Sequence, residues 1–131
     1  MHVLLAILFF GAVSATAVAD DGATKMSRDE LLAFLPETKV THVSKSGSTR
    51  VWTNAKEGSL LASSDNKKYG SVMGTGAASS TGTWMVNDEG KYCVHIEWKR
   101  ESEKWCASIL KAADGYYLNS VDPTRKIDFT K

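Results

Sequence analysis

The chain has 131 residues, of which 43% are hydrophobic and 24% are charged, a length and composition that predict one globular domain with a single core. Its 16 Lys and Arg residues nearly balance 15 Asp and Glu residues, and the two signs are mixed along the sequence. A nucleic-acid-binding domain usually carries a basic stripe, so this charge pattern argues against nucleic acid as a partner.

Residues 1–19 are predicted to be a cleaved signal peptide. An apolar run with one glycine extends over residues 3–13, and Ala17-Val18-Ala19 forms an A-x-A cleavage pattern. A transmembrane anchor is the alternative, but the apolar stretch is interrupted by Ser14 and Thr16 and is shorter than the roughly 20 residues that usually span a bilayer. We therefore expect a periplasmic or secreted protein that does not span the membrane once processed.

Residues 20–26 are small and polar and predict a flexible tail, so the single β-rich domain is expected over residues 27–131. This domain opens with a helix over residues 27–35. Ser27 is a suitable N-cap, and Glu30 completes a capping box with it. Pro36 then ends the helix, which is too short to be stable unless it packs against the rest of the domain.

The remainder of the chain predicts short strands separated by turn signals. The predicted strands are residues 39–44, 49–54, 59–63, 69–75, 82–86, 91–98, 105–111 and 116–121. Short alternating segments of this kind indicate an antiparallel arrangement, and open sheet edges need closure or a cover. The predicted fold class is therefore mainly β, an antiparallel meander curled into a small barrel-like sheet with one short N-terminal helix.

The strands at residues 91–98 and 105–111 form a predicted hairpin whose register the sequence itself specifies. Setting Cys93 opposite Cys106 brings the apolar faces of both strands together. The other pairs in this register are Val94 with Trp105, Tyr92 with Ala107 and His95 with Lys104.

A structural disulfide between Cys93 and Cys106 is the expected state of two cysteines in an exported chain of this size. A redox pair would favour C-x-x-C spacing, which the sequence lacks. A zinc site could use both cysteines with His95 and His42, but it needs thiolates that an oxidising compartment removes. We predict the disulfide, with no metal and no cofactor.

A motif in the C-terminal half is similar to that of a known family. It consists of Gly82-Thr83-Trp84-Met85-Val86, Asp88, Gly90, Tyr92-Cys93, Ile96-Glu97-Trp98, Glu103, Trp105-Cys106 and Asp114-Gly115-Tyr116-Tyr117. The pattern resembles small exported bacterial proteins grouped as domain of unknown function 995. The resemblance covers about a third of the mature chain. It implies a secreted or periplasmic β-rich domain and assigns no reaction and no catalytic residue.

Two groups of residues are candidates for a face that binds a ligand or partner. One is the polar face beside the cysteines, and the other is a set of aromatic residues. Ordinary solvated surface is the alternative for the first group, and core packing for the second. The candidates are His95, Glu97 and Lys104 in the polar group, and Trp84, Trp98, Trp105, Tyr116 and Tyr117 in the aromatic group.

The predicted function is a binding or interaction module of the cell envelope, for a small apolar ligand or an envelope protein. One alternative is a small hydrolase-type enzyme that uses His95 with Glu97, or His42. A purely structural envelope protein is another alternative. No motif satisfies the geometric requirements of an active site, so we favour binding over catalysis.

Overall fold

A computed structural model describes residues 22–65 and 78–131 of the chain. The predicted signal peptide at residues 1–19 and the predicted strand at residues 69–75 lie outside the described residues. Within the described ranges, no helix has the length and apolar character needed to cross a membrane.

The described part of the chain forms one ten-stranded antiparallel sheet and one α-helix, which confirms the predicted fold class. The sheet curls into a half-barrel. Its elements are β1 (Thr24–Lys25), α1 (Arg28–Phe34), β2 (Lys39–Val43), β3 (Thr49–Asn54), β4 (Ser59–Ser64), β5 (Ala78–Val86), β6 (Tyr92–Glu97), β7 (Ser102–Ala107), β8 (Ile109–Ala112), β9 (Gly115–Leu118) and β10 (Lys126–Thr130), with a single 3-10 turn at Pro123–Arg125 before β10.

Among the described residues, β7 is the last strand at one end of the sheet, and we call the gap between β7 on one side and β2, β10 and the end of β9 on the other the open seam. Strands β2 to β7 follow each other as a meander, and β10, β9, β8 and β1 extend the sheet beyond β2. Only Ser108 separates β7 from β8 in the chain, yet these two strands do not pair. The Ser108 amide donates to Asn119 Oδ1 and the Asn119 amide donates to the Ser108 carbonyl, both at 2.9 Å. This connection crosses the seam at one end.

The core lies on the inner face of the sheet and is largely aromatic. Trp52 and Tyr92 are buried there, and the Trp52 indole donates to the Tyr92 hydroxyl at 3.0 Å. That hydroxyl donates to Asn54 Oδ1 at 2.5 Å, and Asn54 Nδ2 donates to the Leu35 carbonyl at 3.3 Å. This chain of hydrogen bonds satisfies the buried polar groups and joins the sheet to the end of α1.

The predicted helix and hairpin are confirmed. The Ser27 hydroxyl accepts the Glu30 amide at 3.1 Å and the Glu30 carboxylate accepts the Ser27 amide at 3.2 Å, so the capping box is complete. In the β6–β7 hairpin, Cys93 lies opposite Cys106 and the two are disulfide-bonded. The other three predicted pairs, Val94 with Trp105, Tyr92 with Ala107 and His95 with Lys104, also hold.

Three details of the sequence prediction are wrong. Strand β10 was not predicted, and the predicted strand at residues 105–111 is interrupted at Ser108, where the chain leaves β7 for β8. The predicted flexible tail at residues 20–26 is ordered over its described part. There β1 pairs with β8, and Ala23 is fully buried against Leu110 and Tyr117. Backbone pairing of this kind depends on the partner strand, so local composition does not reveal it.

Candidate functional site

The predicted polar face lies on the outer side of the sheet. His95 Nε2 is 2.6 Å from Glu97 Oε1, and these side chains are 41% and 66% exposed. The Ser102 hydroxyl also donates to Glu97 Oε1, at 3.1 Å. In a nucleophile relay the imidazole contacts the hydroxyl with one nitrogen and the carboxylate with the other, whereas here the same nitrogen, His95 Nε2, lies 2.6 Å from Glu97 Oε1 and 3.4 Å from Ser102 Oγ. The arrangement is that of a solvated hydrogen-bonded cluster.

The predicted aromatic residues do not form one common face. Trp84, Trp98 and Tyr117 are buried, and the Trp84 indole donates to the Ala55 carbonyl at 2.7 Å. Tyr116 packs its ring against Phe129, with centroids 5.1 Å apart. Of the candidate residues named from the sequence, Trp105, Lys104 and His42 line the open seam.

The seam contains a cleft of about 1100 Å³. Strand β7 forms one side, and β2 together with residues from the 118–128 segment forms the other. Half-buried Trp105 and His42 line it, with ring centroids 5.9 Å apart, and the Trp52 ring lies 6.4 Å from that of Trp105. The cleft therefore has an aromatic wall at the edge of the core.

Arg50 and Glu103 place an ion pair at this wall, with their side chains only 9% and 10% exposed. Arg50 lies on β3 directly opposite His42 and on the same inner face as Trp52. Its Nη1 contacts Glu103 Oε1 on β7, and its guanidinium carbon lies 5.1 Å from the centre of the Trp98 ring. The pair joins strands that are far apart in the order of the sheet.

Glu103 is held by more than Arg50. The Trp105 indole donates to Glu103 Oε2 at 2.8 Å, and the Trp98 indole donates to Glu103 Oε1 at 3.2 Å. A second carboxylate, from Glu101, accepts from Arg50 Nη2 at 2.7 Å. Each carboxylate oxygen of Glu103 thus has a donor, as a buried charge requires.

His42 borders the same ion pair. Burial lowers the pKa of His42 below its usual value of 6.5; the nearby Glu103 opposes this shift, while Arg50 and Arg125 add to it. Within residues 22–65 and 78–131, His42 Nδ1 and Arg50 Nε are buried nitrogens without a hydrogen-bond partner. One imidazole nitrogen and one guanidinium N–H of residues that line the cleft are therefore left with unused hydrogen-bonding capacity.

The zinc alternative is not assembled. Cys93 and Cys106 are disulfide-bonded, so neither offers a thiolate. His42 lies on the inner face of the sheet, on the same side of β2 as buried Val40, whereas His95 lies on the outer face of β6, between buried Val94 and Ile96.

Sequence reasoning missed Arg50, Glu101 and Glu103. Strand alternation places Arg50 on the face of Trp52, and the predicted hairpin register places Glu103 on the face of Trp105. A charged residue on an apolar face is a signal that could have identified two of the three. Glu101 lies in the turn before β7 and has no such signal.

Comparisons with known proteins give one family match. The family model described as "Protein of unknown function (DUF995)" matches residues 4–109. No curated protein and no solved structure matches the chain. The match spans most of the sequence, and the chain belongs to this DUF995 family of proteins of unknown function.

Proposed function

We propose that the protein is an extracytoplasmic binding domain whose seam cleft holds a small ligand with a flat apolar body. The observation that carries this proposal is the cleft of about 1100 Å³ beside half-buried Trp105. Ligand pockets commonly combine a concave apolar wall with a few polar groups that fix orientation. Here Trp105 and His42 supply the wall and Arg50 supplies a charge.

The seam is favoured over the centre of the half-barrel as the binding position. Trp52, Tyr92 and Ile96 are almost completely buried and fill the inner face with side chains. A ligand at the centre would have to displace this packing, which is costly in a close-packed core. At the seam, β7 is the last strand of the sheet and leaves the cleft accessible.

The Cys93–Cys106 disulfide supports a location outside the cytoplasm, because such bonds persist in oxidising compartments. The predicted signal peptide at residues 1–19 supports the same location, with Asp20 as the first residue after cleavage. Membership of the DUF995 family agrees with the exported bacterial proteins that the sequence motif resembles. The proposal therefore places the binding domain in the periplasm or outside the cell.

Two experiments test this proposal. Native mass spectrometry of the exported protein, without reductant, should give a mass that begins at Asp20, lacks two cysteine hydrogens and carries an additional non-covalent component. Calorimetric titration with naphthylmethanol, a neutral flat probe, should show saturable binding. Trp105→Phe should weaken that binding by roughly fivefold, since it removes part of the aromatic contact.

Trp84→Phe is the matched control, because it removes another inner-face indole whose N–H is also hydrogen-bonded. Equal affinities of wild type and Trp105→Phe would contradict binding at the seam. A complete lack of probe binding, together with a bare mass in the spectrometer, would move the interpretation to an envelope-protein partner or a structural role.

An enzyme is the second candidate, and the 2.6 Å contact between His95 and Glu97 is the observation that favours it. A His–carboxylate pair can transfer protons, although this one is exposed to solvent. The double variant His95→Ala/His42→Ala tests this candidate in cells. Full retention of the phenotype of the parent strain would eliminate it.

A further inference from the structure

Two carboxylates contact Arg50, and they differ in their exposure and in the other hydrogen bonds that they accept. The Glu103 side chain is 10% exposed and receives two indole N–H groups in addition to the guanidinium. The Glu101 side chain is 36% exposed, and its Oε1 atom lies 2.7 Å from Arg50 Nη2. Glu103 is therefore a fixed part of the core, whereas Glu101 lies in the turn between β6 and β7 and can leave at lower cost.

The contact with Glu101 leaves one donor of the Arg50 guanidinium without a partner in the described residues. Nε and Nη2 of an arginine form one edge of the plane, and a carboxylate can accept from both in a bidentate contact. Glu101 accepts from Nη2 of Arg50, and Nε of Arg50 has no partner in the described residues. One carboxylate placed along this edge would satisfy both donors.

The charges around the cleft favour an anion there. Five basic and three acidic side chains line it. The basic residues are Lys45, Arg50, Lys104, Arg125 and Lys126, and the acidic residues are Glu101, Glu103 and Asp128. Such an excess of positive charge raises the local concentration of small anions.

We propose that the cleft binds a small amphiphilic carboxylate, which replaces Glu101 along the Nε–Nη2 edge of Arg50 while its apolar body lies against Trp105. This rests on the proposed function and adds the class of ligand. One carboxylate takes the place of another, so the net charge around Arg50 and Glu103 does not change. Glu101 acts as a built-in competitor that covers the arginine when no ligand is bound.

Two probes with the same ring system test the exchange, namely naphthoate and its neutral counterpart naphthylmethanol. Glu101→Gln keeps the shape of the side chain and removes its charge. It should raise the affinity for naphthoate by about tenfold, the worth of one charge-assisted hydrogen bond, and leave naphthylmethanol binding unchanged. Glu89→Gln, in the turn before β6 with its side chain 73% exposed, is the matched control and should change neither affinity.

Arg50→Lys provides the second variant, because an ammonium group cannot offer a two-donor edge. It should remove the preference for naphthoate over naphthylmethanol, and retained naphthylmethanol binding would show that the variant is folded. Binding of both probes with no gain for naphthoate in Glu101→Gln would overturn the inference and leave the proposed function standing. Failure of both probes to bind wild type and Glu101→Gln would overturn both.

Discussion

The carboxylate of Glu103 contacts the guanidinium of Arg50 on the inner face of the sheet, although the two residues are 53 positions apart in the chain. They belong to β7 and β3, and β4, β5 and β6 lie between these strands. The contact therefore spans the concave side of the half-barrel. It connects β7, the last strand of the sheet, to β3 in the middle of the sheet through side chains rather than through backbone hydrogen bonds.

Glu103→Gln is expected to destabilise the protein by about 3 kcal/mol, because it removes one partner of a buried ion pair and leaves the other charge under-compensated. Urea unfolding measures this free energy. Glu101→Gln is the comparison, since Glu101 is more exposed and should cost less than about 1 kcal/mol. Equal losses of unfolding free energy in the two variants would contradict a larger contribution of the Arg50–Glu103 contact to stability.

Cys93→Ser is expected to lower the free energy of unfolding by about 2–5 kcal/mol, because the disulfide restricts the unfolded chain across the hairpin. Thermal unfolding of the wild-type protein with and without reductant gives the same comparison without a mutation. An unchanged melting temperature in reducing buffer would contradict this role of the bond.

Much of the fold could be predicted because strand alternation is a strong local signal. The β6–β7 register followed from two cysteines and an apolar face that agree on one pairing. Strand β10 was missed because only Ile127 and Phe129 mark its inner face. Strand β1 has two residues, and its pairing is set by β8 rather than by its own sequence.

The candidate site was less predictable because it depends on how the sheet curls. Alternation already places Arg50 and Glu103 on the inner faces of β3 and β7. Their contact, however, requires the seam geometry, which arises from the order of all ten described strands. His95 and Glu97, in contrast, lie two positions apart on one strand, so their proximity could be predicted without knowing how the sheet curls.

Gly82→Ala is expected to destabilise the protein by about 1–3 kcal/mol, the usual cost of an added methyl group in a packed position. A Cβ atom at residue 82 would lie 2.2 Å from the His95 carbonyl oxygen and 3.0 Å from Leu60 Cδ1. The backbones of β5 and β6 would have to separate. Thr83→Ala, at an exposed neighbouring position, is the control for urea unfolding, and equal midpoints for both variants would contradict the close approach.

His42 should make folding sensitive to pH. Its pKa in the folded protein lies below the usual 6.5 because of burial, so the unfolded chain takes up the proton first as the pH falls. The contribution of His42 to the free energy of unfolding is fully present above about pH 6.5 and is lost as the pH decreases below that value. Glu103 opposes the lowering of the His42 pKa, and Arg50 and Arg125 add to it.

Urea unfolding of wild type and His42→Gln between about pH 5 and 7 measures this contribution, since most carboxylates titrate below that window. The wild type should lose more stability than the variant as the pH falls through it. Val43→Gln is the control, because Val43 is next to His42 on β2, is 52% exposed and carries no titratable group, so this variant should retain the wild-type slope. Identical slopes for wild type and His42→Gln would mean that His42 takes up its proton in the folded protein as readily as in the unfolded chain.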